Sequence, residues 1–134
     1  MGVFEFLFGK VEIKEEDFSQ ELKKKIKKQD AEDRIFSRQV KRNIKGIKHE
    51  KDGEIDLAIK IYEKNITETF EGNHPYDRLA IIYRKQKDYK NEIKVLYRAI
   101  EVFSNLMTSS KRLDIEPKLD KFKNRLKKAI SLKH

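Results

Sequence analysis

Arg78, Arg84 and Lys85 would project on one face of a single helix, where guanidinium and ammonium groups can make charge-assisted, partly bidentate bonds to carboxylates. Farther on, Lys118, Lys121, Arg125 and Lys128, with Lys123 and Lys127 beside them, surround an apolar stripe. Cations in that arrangement can neutralise phosphates. Both clusters point to recognition of anions. Groups that would do more than bind fall into no usable pattern. His49, His74 and His134 have no second ligand at a metal-binding spacing, and His49 fits a packed residue better. No glycine-rich phosphate loop or nucleophile-elbow serine occurs. Glu15-Glu16-Asp17 and Glu32-Asp33 are paired carboxylates, but acids at helix starts are explained by the helix dipole. The chain reads as a non-enzyme that needs no cofactor or metal.

The element that must position the first cluster is the stretch 73–106. Tyr76, Leu79, Ala80 and Tyr83 share one face of a first helix. Ile93, Leu96, Ile100, Phe103 and Met107 form the stripe of a second. Gln86-Lys87-Asp88-Tyr89 separates them, and Asp88 can cap the second helix. This order of aromatic, leucine, small residue and aromatic, then a turn, then Leu96 and small Ala99, resembles the tetratricopeptide repeat. One place departs: Glu92 stands where a small residue is expected.

A shift of 34 residues lays Gly46 on Ala80, Ile59 on Ile93 and Ile66 on Ile100, giving repeats at 39–72 and 73–106. The second is entered through Gly72 and Pro75, which suits a first helical turn. In strict register the first copy has Arg42, Lys45 and His49 at its apolar places, while Val40, Ile44 and Ile47 fall on groove places. Two explanations stay open. The helix is slid by two residues with a longer turn at 48–53, or the groove is apolar there and filled, for instance by the N-terminal segment.

The resemblance implies an all-α, antiparallel helix-hairpin array that binds an extended peptide or a helix, with acidic character, in a concave groove. Its groove places in the second repeat are His74, Asp77, Arg78, Ile81, Arg84 and Lys85. Only Arg78 and Asn43 match places of the family's carboxylate-clamp pattern, so a clamp is not expected.

Around the repeats, 1–38 reads as an N-terminal segment and helix, and 107–134 as a basic capping helix. The whole chain of 134 residues is expected to form one domain. Phe18, Leu22 and Ile26 mark one helix face among five lysines, and Asp30-Ala-Glu-Asp33 looks like a fresh helix start. Val3 to Phe8 is an apolar patch that docks on the body, anchors at an interface, plugs a partner's groove or stays disordered. Pro117 fits the first turn of a last helix with Leu119, Phe122, Leu126 and Ile130 inward.

The net charge is +9, and residues 111–134 carry nine basic side chains against three acidic ones. That concentration supports a rival function, binding of nucleic acid or an anionic surface through Lys118, Lys121, Arg125 and Lys128. Aromatic residues are not interleaved with this charge, which weighs against it. A homodimer that covers the exposed stripes is a third reading. The absence of cysteine agrees with a reducing cytoplasm, no apolar run approaches a membrane span, and the lysine and isoleucine bias hints at an AT-rich bacterial or phage genome.

Overall fold

A computed structural model describes the backbone of residues 6–8, 11–13 and 15–134, with side chains from residue 19 onward. Among the described residues the fold is all-α, with five helices preceded by one pair of very short strands. The strands are β1 (Phe6–Phe8) and β2 (Val11–Ile13), antiparallel, with Phe6 opposite Ile13 and Phe8 opposite Val11. The helices are α1 (Glu15–Lys51), α2 (Ile55–Thr67), α3 (His74–Lys85), α4 (Tyr89–Ser109) and α5 (Ile115–Lys133). The chain divides into two compact units, Met1–Arg38 and Gln39–His134, the second starting where the first repeat was expected to start. The fate of the apolar side chains at Val3 to Phe8 lies outside the described residues.

The helix start expected at Asp30 is not there, because α1 runs through it unbroken. The amide of Gln29 donates to Asp33 at 2.9 Å, an i,i+4 bond within one continuous helix. An acidic cluster supports the middle of a helix as readily as its beginning when such partners stand one turn away.

The two hairpins do repeat at 34 residues. Each first helix ends on a left-handed residue, Gly53 at φ 76° and Lys87 at φ 56°, which are 34 positions apart. In both turns the following amide reaches back five residues, Glu54 to the His49 carbonyl and Asp88 to the Tyr83 carbonyl, both at 2.8 Å. This closes the orphan carbonyls of the helix end. Asp88 then caps α4 by accepting from the Asn91 amide, and Pro75 sits in the first turn of α3.

The register of the first repeat is strict, which overturns the two-residue slip. On α1 the buried residues are Gln39, Asn43 and Gly46, spaced by four and three. Ile44 is 62% exposed and Ile47 37% exposed. The inward face of this helix is polar because α2 supplies matching groups. Asn65 donates to the Gln39 carbonyl and to Asn43 Oδ1, both at 2.8 Å. Arg42 donates to Asn65 and pairs with Glu68.

The opposite end of the array is apolar. Tyr76, Phe103 and Phe122 meet edge-on or tilted, with centroids 5.3 to 6.4 Å apart. The stripe on α4 is broader than its sequence period indicates: Val95, Val102 and Leu106 are buried with Leu96, Ala99 and Phe103, while Met107 is exposed. On α5, Ile115, Leu119, Phe122 and Ala129 face inward and Ile130 does not.

Candidate functional site

Helix α3 is tied to both helices on its flanks. Arg78 makes a forked pair with Glu50 of α1, its Nη2 at 2.6 Å from Oε1 and its Nε at 3.1 Å from Oε2. Tyr62 of α2 donates to the same carboxylate at 2.7 Å. Burial alone would push the Glu50 carboxyl up, but the Arg78 and Tyr62 hydrogen bonds outweigh it and hold the group below the usual glutamate range. On the other flank Asp77 accepts from Arg125 of α5 at 2.7 Å and from Asn73 at 2.6 Å. The end of α1 and the middle of α5 are thus each joined to α3 by an ion pair.

The groove residues read from the sequence lie on α1 and α3, and most of their polar groups are already engaged. Asn43 is buried and bonded to Asn65. His74 stands edge-on to Tyr62 at 5.5 Å, its Nε2 buried without a partner, and burial lowers its pKa. Arg84 donates its Nε to Glu92 at 2.7 Å and its Nη2 to the Arg125 carbonyl at 3.3 Å. Ile81 and Lys85 are the least committed of the set. Together with Ala80, Arg84, Glu92 and Arg125 they line a cavity of about 280 Å³.

The basic set on α5 is also partly consumed. Lys118 bonds Asp114 at 2.7 Å, and Arg125 is the residue that joins α5 to Asp77. Lys121 and Lys128 are exposed with no carboxylate partner among the described residues. The two sites inferred from sequence thus meet at Arg125, which serves as a strut between them.

Two neighbours of these residues escape pattern reading, and a third, Glu92, shows in it only as a departure. Glu50 and Asn65 are polar residues at inward places, and only the Arg78 and Asn43 opposite them explain why. Glu92 occupies the small-residue place 1% exposed, because Arg84 reaches over it. Its Oε1 has no partner. Burial raises its pKa, and the Arg84 charge only partly counters this. An acid whose folded pKa is raised takes up a proton in the folded state before it does so when unfolded. Lowering the pH from neutrality therefore stabilises the fold through this group, until the ordinary glutamate range is reached. Chemical denaturation across that window should show the parent protein gaining stability relative to Glu92→Gln. A constant difference between the two would contradict the raised pKa.

No family model, curated protein or solved structure matches this chain. Among the described residues, no helix is long and apolar enough to cross a membrane.

Proposed function

We propose that this protein is a small tetratricopeptide-like interaction module that holds an acidic peptide or helix on the concave face of its hairpin array. On this reading it is a cytoplasmic adaptor without catalytic activity. One observation carries the proposal. Ile44 and Ile47 stand exposed on α1, half-buried Val40 continues their row at steps of four and three, and Lys41, Lys45, Lys48 and Lys51 are exposed along the same helix. No described carboxylate pairs with any of these four lysines. An apolar row beside an unneutralised cationic row is the complement of a segment that carries both apolar and acidic side chains.

Arg78 and Arg84 act differently from the lysines. They fix the helices that form the face and leave the recognition of charge to lysines at its edge. The rival reading, nucleic acid on α5, retains two unpaired cations of the four it began with, Lys121 and Lys128.

A displayed random-peptide library selected on the immobilised protein tests the proposal. Enriched sequences should combine aspartate or glutamate with aliphatic residues. Ile44→Asp should weaken their capture about tenfold or more, as expected for a charge placed in an apolar contact, while the helical circular-dichroism spectrum stays unchanged because Ile44 is exposed. Enrichment without acidic residues, or capture indifferent to Ile44→Asp, would refute it.

A further inference from the structure

The same face restricts the conformation of what it holds, and we infer that its occupant is an amphipathic helix with acidic flanks and not an extended strand. This inference rests on the proposal that the face binds a peptide. An extended segment arrives with one unsatisfied N–H and one C=O per residue, and it needs partners for those that lose water in the groove. The side-chain acceptors that α1 and α3 bring to this face already hold donors. Asn43 Oδ1 takes the Asn65 amide, and both Glu50 oxygens are held by Arg78 and Tyr62. The two Asp77 oxygens take Arg125 and Asn73. The Nε2 of His74 and the Oε1 of Glu92 are buried atoms.

What remains at the edge is lysine, whose ammonium groups donate and cannot accept. Among the described residues that α1 and α3 bring to the face, no unengaged acceptor stands ready for the N–H row of a strand. A helix satisfies its own backbone and asks only for side-chain contacts. The apolar row matches that demand in length as well as in kind. From Val40 to Ile47 is seven residue steps along α1, roughly 10.5 Å at about 1.5 Å per step. An i, i+3, i+7 stripe on a partner helix has that same length, and acids one position off the stripe would face Lys41, Lys45 and Lys48.

Two synthetic peptides of roughly 18 residues, long enough to hold a helix in water, separate the possibilities. The first carries leucine at i, i+3, i+7 and i+10 with glutamate on both flanks. The second has the same composition apart from two central residues changed to proline, which removes the helix. Fluorescence anisotropy should give the first about tenfold or more tighter binding. Its circular dichroism should gain helix on mixing beyond the sum of the parts, and Ile44→Asp should abolish the interaction.

If both peptides bind equally and both are lost with Ile44→Asp, the helical occupant is wrong while the face still binds peptide. Binding that survives both Ile44→Asp and Ile47→Asp, or failure of both peptides to bind, overturns the binding face itself. Vesicles containing phosphatidylserine, captured by the parent protein and released by Ile44→Asp, would make the occupant a lipid surface and refute the inference.

Discussion

Gly46→Ala lowers the stability of this protein by about 2 kcal/mol, although the same change in an open helix would stabilise it by roughly 0.5–1 kcal/mol. The reversal of sign comes from Tyr62. A Cβ built on Gly46 would lie 2.3 Å from Cε1 and 2.5 Å from Cζ of that ring, closer than carbon atoms approach. The ring cannot swing aside. It is fully buried, its hydroxyl is anchored on Glu50, and His74 packs edge-on against it. Either α1 moves away from α2 or the ring leaves its rotamer, and overpacking of this type costs about 1–3 kcal/mol. Movement of α1 would also stretch the Glu50–Arg78 fork, so the loss exceeds the helix-propensity gain. Urea denaturation of the two proteins decides the matter, and a midpoint equal to or above that of the parent would mean that Tyr62 does not seat on this glycine.

The largest loss belongs to Phe122→Ala, at about 3–5 kcal/mol, the range for removing a buried phenylalanine ring. Phe122 is the residue of α5 that enters the aromatic group, touching Tyr76 and Phe103 at once. Its removal leaves a void between three helices and weakens the seat of α5, which then holds through Leu119, Ile115, Ala129 and the Arg125–Asp77 pair. Thermal melting should show a lower midpoint. Limited proteolysis should find new cuts within 115–133, because a loosened helix exposes its backbone. Leu113→Ala is the control, since that side chain is 94% exposed and its loss should not register. Equal melting temperatures for Phe122→Ala and the parent would remove α5 from the folded core.

Much of this architecture was legible in the residues themselves. The stripes on α3 and α4, the cap at Asp88, Pro75 at the start of α3 and the 34-residue period all follow from local pattern, because one apolar face of a helix imposes its spacing on the sequence. The parts that resisted share a cause. On the inner face of α1, amides and charges stand at the places where apolar residues are sought, so a hydrophobic period finds Val40, Ile44 and Ile47 and leaves a slipped helix as open as an apolar groove. Only the hydrogen bonds from Asn65 to Gln39 and Asn43 make the polar side the buried one. The strands β1 and β2 are three residues each, too short to display an alternation, and the one signal present is the two-residue separation by Gly9-Lys10. At the candidate site the identity of the residues was readable and their employment was not. Arg78, Arg84 and Arg125 look like three open anion receptors in sequence, while the carboxylates that occupy them, Glu50, Glu92 and Asp77, lie 28, 8 and 48 positions away. A linear reading cannot tell a receptor from a brace when the counter-ion is that remote.

The two ends of the hairpin array are held by different balances of force: hydrogen bonds and an ion pair beside the Gly46–Tyr62 seat between α1 and α2, and mainly aromatic and aliphatic contact from α3 to α5. Contact of the second kind is short-ranged, water-excluding and shared among many atoms, so it is lost all together or not at all. A network of amides and carboxylates can be replaced bond by bond with water. The molecule accordingly has a soft end and a hard end. Backbone amides of α2 and of α1 beyond residue 39 should exchange with deuterium through partial openings, while those of α4 report only complete unfolding. The row Val40–Ile44–Ile47 lies on the soft end. An occupant that clamps it would therefore reveal itself in slowed exchange across α1 and α2, a footprint larger than the surface it touches.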